Sequence, residues 1–370
     1  MINWHKLASQ VGEEMADAIA SLSSEDLATR KEASQVLFDI CWYQGTVYEQ
    51  SSVAVPFLIE RLTVETDISL LSEIIWQIYH LGTGTSFLNR PTSYHHQEKQ
   101  NTQEYQTEIA EKSLWEVATH REFNQGIDVY LQLLEHDSPI IRVHAAYCLS
   151  CCTVKTEYIC HKLYLHIAKE ADENVRATIP LCLAFLSKLK SMSLDFLLGK
   201  ILYIEETDFV KLSVCVALTF IAREKLSNHA ISSLSNLIAK PSLLARLSNH
   251  YDSPMSTAHY YTISDLLGYL SDEHLCQFLP HAIEPIESVY GYDELIMMVF
   301  PDEKIVPETT INQLSTAQQY LLKEICKRNS TGKEYIYRTS SLSFMGISRA
   351  ADARDKLVDF INGKPVKYNY

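Results

Sequence analysis

Glycine and proline are scarce, at 11 of each in 370 residues. An all-β fold with many tight turns needs more of both, and is set aside. No run approaches the ~18 apolar residues of a spanning helix, so no membrane partner is expected. The opening "MINWHKLASQVGEEMADAIA" lacks the apolar core of a signal peptide. Nine cysteines without that signal read as reduced thiols in a cytoplasmic protein. The sequon Asn329-Ser330-Thr331 then has no meaning. Basic runs are missing too: 32 Lys and Arg face 46 Asp and Glu, for a net charge of −14. That balance argues against a nucleic-acid partner. It aids solubility and is compatible with a basic protein partner.

Catalytic frames are also lacking. "GTGTS" at 82–86 has no following Gly-Lys-Ser/Thr, and in "STGKEY" at 330–335 Lys327 takes the place of the first phosphate-loop glycine. There is no Gly-x-Ser-x-Gly elbow. The pairs Glu13-Glu14 and Glu205-Glu206 are adjacent, so their carboxylates point to different sides of a helix. His95-His96 lies in a polar stretch without a second ligand pair. No catalytic, cofactor or metal site is expected.

What the sequence does have is a repeat. "RVHAAYCLSCC" from Arg142, "RATIPLCLAFL" from Arg176 and "KLSVCVALTFI" from Lys211 align without gaps, 34 and 35 residues apart. "RKEASQVLFDI" from Arg30 and "LSEIIWQIYHL" from Leu71 fit the same frame. Three residues past each anchor stand Ala33, Ile74, Ala145, Ile179 and Val214. Seven past stand Leu37, Ile78, Leu149, Leu183 and Leu218, and ten past stand Ile40, Leu81, Cys152, Leu186 and Ile221. All are apolar or small, and these spacings share one helix face.

Between the repeated segments lie "VPFLIERL" (55–62), "IDVYLQLLE" (127–135), "YICHKLYLHIA" (158–168), "LDFLLGKILYI" (194–204) and "ISSLSNLIAK" (231–240), each with its own apolar spacing. Each unit is a helix, a polar turn and a second helix. It cannot bury its stripe alone, so units must stack. The turns "HDSPIIR" (136–142) and "ADENVR" (171–176) place capping side chains before the second helix, and Arg142 or Arg176 is expected to pair with an acid of a neighbouring turn. Pro180 should kink its helix. The polar stretches 83–108 and 247–259 read as insertions, the first as a surface loop. In "QGTVYEQSS", Gly45 reads as a left-handed helix end and Pro56 as part of the next helix's first turn.

Four stretches carry a family resemblance: "YQGTVYEQSSVAVPFLIERL", "LGTGTSFL", "EKSLWEVATHREFNQGIDVYLQLLEHDSPIIRVHAAYCLSC", and the C-terminal "LSTAQQYLLKEI" with "LSFMGISRAADARDKLVDFI". Over most of its length the chain resembles bacterial HEAT-repeat proteins of largely uncharacterised function. The resemblance implies an all-α, right-handed α-α superhelix of the HEAT/armadillo-like kind over 1–285 and a small helical C-terminal cap over 286–370. It implies no reaction or cofactor. Such proteins are similar in plan to partner-binding scaffolds, including proteins that neutralise toxins in bacterial competition.

The cysteine cluster Cys148, Cys151, Cys152 and Cys160 falls largely on packing positions of the repeat, where free cysteine serves as a small hydrophobe. The aromatic positions are the candidate site. Opposite the buried stripe stand Trp42, Trp76, Tyr79 and Tyr147, with Phe38 beside them and Glu32 and Glu73 near the edge. Aromatic anchors flanked by acids suit a basic protein partner, and by analogy with the resemblance the sharper expectation is a toxin occluded by an immunity protein. The same rings would equally pack under the 83–108 insertion or against neighbouring helices. The other classes open to the architecture are an enzyme, such as a tetrapyrrole lyase or a repair glycosylase, and a constitutive assembly factor.

Overall fold

The computed structural model describes residues 9, 11–85, 103–190, 194–238, 240, 243, 246, 270–283, 295–296, 299–300, 308–329 and 353–365. The fold is all-α. In order, α1 is Glu13–Ser21, α2 Leu27–Cys41, α3 Ser51–Leu62, α4 Ile68–Thr83, α5 Gln103–Gln125, α6 Ile127–Leu133, α7 Pro139–Cys151, α8 Thr156–Ile167 and α9 Glu173–Lys190. There follow α10 Asp195–Ile204, α11 Asp208–Ala222, α12 Asn228–Ile238, α13 Asp272–Ile283, α14 Thr316–Asn329 and α15 Ala353–Ile361. The chain forms two compact units, Met1–Met192 and Ser193–Tyr370, a division that falls within the repeat run.

In the first unit the repeated helices α2, α4, α7 and α9 form one layer, with α4 against α7 and α7 against α9 as its most extensive contacts. Helices α1, α3, α6 and α8 pack on this layer as the partners of each hairpin, and α5 lies across α3 and α4. In the second unit each helix from α10 to α15 packs on the next. The apolar stripe explains the layer. All ten residues three and seven places past the anchors are buried; ten places past, Leu81, Cys152 and Leu186 are buried, while Ile40 and Ile221 are half-buried at helix ends.

The inner helices bury more than that stripe. Every residue from Val143 to Cys152 is buried, and so is every residue from Ala177 to Ser187. A helix apolar nearly all round belongs in an interior layer. Pro180 lies inside α9, which runs on as helix to Lys190. Gly82, within α4, allows a close approach that no side chain would. A Cβ there would stand 2.3 Å from the Phe123 ring of α5.

One arginine motif fastens three turns of this unit. Arg30, Arg142 and Arg176 each stand four residues beyond the residue that opens their helix: Asp26, Ser138 and Asp172. Arg30 Nη1 donates to the carbonyls of Ser24 (3.0 Å) and Glu25 (2.9 Å). Arg142 Nη1 does the same with His136 (2.7 Å) and Asp137 (2.9 Å), and Arg176 with Glu170 (3.2 Å) and Ala171 (2.9 Å). The other edge of the guanidinium crosses to the next hairpin. Arg30 Nε and Nη2 bind the Glu65 carboxylate at 3.0 and 3.2 Å; Arg142 Nε and Nη2 bind Glu170 at 2.8 and 2.7 Å.

The glutamates also close their own turns. Glu65 accepts from Arg61 and from the N–H groups of Thr66 and Asp67, both at 2.9 Å. Glu170 accepts from the Asp172 N–H at 2.8 Å, and His166 Nε2 lies 2.9 Å from it. Capping differs from turn to turn. Asp26, Asp67 and Asp172 accept helix-opening N–H groups, whereas Ser138 makes no side-chain cap and Pro139 opens α7 instead.

Two loop expectations change. The chain after α2 is a small hairpin, Trp42–Tyr43 paired antiparallel with Thr46–Val47. Gln44 and Gly45 form its two-residue turn with φ of 47° and 81°, so Gly45 serves a primed hairpin turn and not a helix end. Helix α3 starts at Ser51, whose hydroxyl binds the Cys41 carbonyl, so Pro56 lies in the helix interior. The loop expected over 83–108 is shorter: α4 runs through Thr83 and α5 begins at Gln103. Residues 86–102, including His95-His96, lie outside the described residues, as do 247–259.

Burial pushes the Glu65 and Glu170 carboxyls up, but their hydrogen bonds from Arg30 and Arg142, from turn N–H groups and from Arg61 or His166 outweigh it. Both are held at about 2, against an ordinary 4.5. A carboxyl held low stabilises the fold above its unfolded pKa and loses that contribution as pH falls toward its folded one. Stability should therefore fall as pH is lowered from the ordinary carboxyl range toward about 2. Urea unfolding across that window should show a shallower loss for the double variant Glu65→Gln/Glu170→Gln. At neutral pH, Arg142→Met leaves the buried Glu170 charge without its main partner and should cost about 3 kcal/mol. Lys169→Met removes an exposed pair with Glu135 and should cost less than about 1 kcal/mol by the same measurement.

Candidate protein-binding site

The sequence places its candidate aromatics by helical spacing, and the fold arranges them differently. Trp42 has left the helix and stands on the first hairpin strand, half-buried. Trp76 is half-buried on α4. Tyr79 (0 % exposed) and Tyr147 (2 % exposed) are buried, which corrects the expectation that they face a partner. The cause is the flank-to-flank packing of α4 on α7, which brings the two tyrosine rings to 5.6 Å. Glu32 is exposed on α2, and Glu73 is half-buried on α4.

The rings form a continuous series across three helices. The Phe38 ring stacks on Trp42 at 5.1 Å and 16°, and lies 5.5 Å from Trp76. His80 sits in the middle, 4.1 Å from Trp76 edge-on, 5.1 Å from Trp42 and 5.2 Å from Tyr79. Tyr147 carries the series on to His144. His80 is the member that sequence reasoning missed. Its signal was a histidine one turn beyond Trp76 inside an apolar run. The indole Nε1 of Trp42 is buried and, among the described residues, has no hydrogen-bond acceptor.

A short polar relay lies beside the rings. Ser34 donates to Gln77 Oε1 at 2.7 Å, and Gln77 Nε2 reaches Glu73 at 3.4 Å. Burial pushes the Glu73 carboxyl up, and Lys31 nearby acts the other way. On α2 the exposed residues Ala28, Glu32, Gln35 and Asp39 make one stripe, with Gln35 donating to Asp39 at 2.7 Å. Trp42, Trp76 and Glu73 are thus partly open to solvent in the same region as the exposed acids of α2.

The hairpin fixes this surface. Val47 N–H donates to the Thr85 carbonyl at 3.2 Å, and Thr85 N–H to the Gly45 carbonyl at 2.9 Å. The loops after α2 and α4 are thereby joined. No family model matches the chain, and no curated protein matches it. Among solved structures, a crystal structure of an engineered protein is similar at 15% identity, covering 94% of this chain and 92% of that one. Its TM-score is 0.29, too loose a superposition to bear on fold or function.

The cysteine cluster lies in the core. Cys148, Cys151, Cys152 and Cys182 are all buried, and burial pushes each thiol up, Cys151 to about 12. Cys148 Sγ donates to the Ile75 carbonyl at 3.6 Å, across the α4–α7 contact. Among the described residues no group of three or more His, Cys, Asp or Glu side chains is placed to hold a metal ion. Thiol alkylation of the native protein should therefore label only the half-buried Cys276 and Cys326, with the rest reacting on unfolding. Peptide mapping by mass spectrometry checks this, and native labelling of Cys148 would contradict the packing described.

Proposed function

We propose that this chain is a non-catalytic protein-binding scaffold of the HEAT-like kind, acting in the cytoplasm on a basic protein partner. One observation carries the reading. Trp42, on the hairpin after α2, and Trp76, on α4, are only half-buried, with Glu32 exposed on α2 and Glu73 half-buried on α4. Buried Tyr79 packs on His80, which in turn touches both indoles. The net charge of −14 favours a basic partner. An immunity or antitoxin role, in which the scaffold occludes a basic toxin, is the specific form of this proposal. The enzyme alternative draws little support from the cysteines, whose buried thiols are held protonated.

The test compares native and Trp42→Leu/Trp76→Leu bait in affinity capture from the native lysate, with partners identified by mass spectrometry. A stoichiometric basic protein held by the native bait should bind the double variant more weakly by about 2 kcal/mol or more. Unchanged affinity in a variant that folds normally would remove these two residues from the site.

A further inference from the structure

On the reading that α2 and α4 receive a basic protein, the geometry points to an arginine side chain as the group that Glu73 and Trp76 accept, and we propose this pair as the anchor of the site. Glu73 and Trp76 are three residues apart on α4, so they lie next to each other on one face. Both are half-buried, and both are within a layer that cannot easily yield. The Trp76 ring packs against Phe38 and His80, at 5.5 and 4.1 Å between centroids, which fixes the indole in place.

Glu73 is poorly provided with donors for a half-buried carboxylate. Its hydrogen bond from Gln77 is long, at 3.4 Å, and the acceptor oxygen of Gln77 is taken by Ser34. Glu65, one turn below α4, receives two guanidinium groups and two N–H groups at 3.2 Å or less. Glu73 has given up part of its water without gaining such donors. Lys31 is the resident cation near it, and Glu32 and Asp39 add negative charge along α2.

A guanidinium meets both needs together. Its forked N–H groups match a carboxylate, and its flat face stacks on an indole. A lysine ammonium is a hydrated point charge that satisfies only the first. The site therefore discriminates arginine from lysine at equal net charge, which general acidity does not.

The experiment is calorimetric titration of the full chain with a short capped peptide alternating arginine and glycine, beside its lysine counterpart. It is run at about 0.15 M salt, where distant charges are screened beyond ~8 Å. The arginine peptide should bind about tenfold more tightly than the lysine peptide. Glu73→Gln, which keeps the side-chain shape, should weaken the arginine peptide about tenfold. Lys31→Met, which removes the resident cation, should strengthen it. Glu157→Gln, an exposed acid on α8, should leave it unchanged. Equal binding of the two peptides, or indifference to Glu73→Gln, overturns the inference. Should neither peptide bind while native bait still captures a basic partner through Trp42 and Trp76, the arginine anchor is wrong and the scaffold reading stands.

Discussion

The pairing of an arginine in one hairpin with a glutamate in the next turn is what the first unit depends on. A hairpin of two helices has an apolar stripe but no means of setting the angle and height at which it meets its neighbour. Apolar contact is non-directional. The guanidinium supplies direction, because its five donors are fixed in one plane. One edge holds the carbonyls of its own turn, and the other holds the carboxylate of the next, so each turn is shaped by the residue that also positions its neighbour. Glu65 and Glu170 then fold their own following turns through backbone N–H groups. At these two places the same side chains set the local turn and the spacing to the next hairpin.

That spacing has a consequence for the layer it organises. Once α4, α7 and α9 are held flank to flank, side positions that a lone amphipathic helix would leave in water are covered by the neighbouring helix. Tyr79 and Tyr147 are buried for this reason. Small residues on α7 and α9, among them Ala145, Ala146, Cys148, Ala177 and Ala184, let the backbones come close. The cysteines belong to this set. Their role in the interior is volume, with a weak S–H donor that finds a carbonyl.

Much of this was legible in the sequence. The recurrence of apolar residues three, seven and ten places past each anchor located the inner layer, since burial of a stripe is what such a period records. The segments from "VPFLIERL" to "ISSLSNLIAK" became helices close to their expected limits, and Arg142 found the neighbouring acid foreseen for it. The failures are also physical. Periodicity describes one helix at a time, so it could not say that Tyr147 would be closed in by α4 while Trp76, equally far past its own anchor, stayed partly open. It grouped Trp42 with the helix-face aromatics and did not see the hairpin that carries it, because the turn at Gln44-Gly45 is set by two residues and by a partner, Thr85, that lies about forty positions away. His80 entered as one more residue of an apolar run; its place among four rings is a property of two helices and the hairpin together.

The bridge between Thr46 and Thr85 has one further effect. The arginine network secures α2 and α4 at the ends where they begin, and this bridge secures them where they finish. Two adjacent helices tied at both ends cannot splay or slide. The surface between them is thereby held in one geometry. Association there would proceed as docking onto a finished shape, with little ordering entropy lost on this side of the contact. On the proposed scaffold reading, selectivity would be written in fixed geometry, and the partner would supply the adjustment.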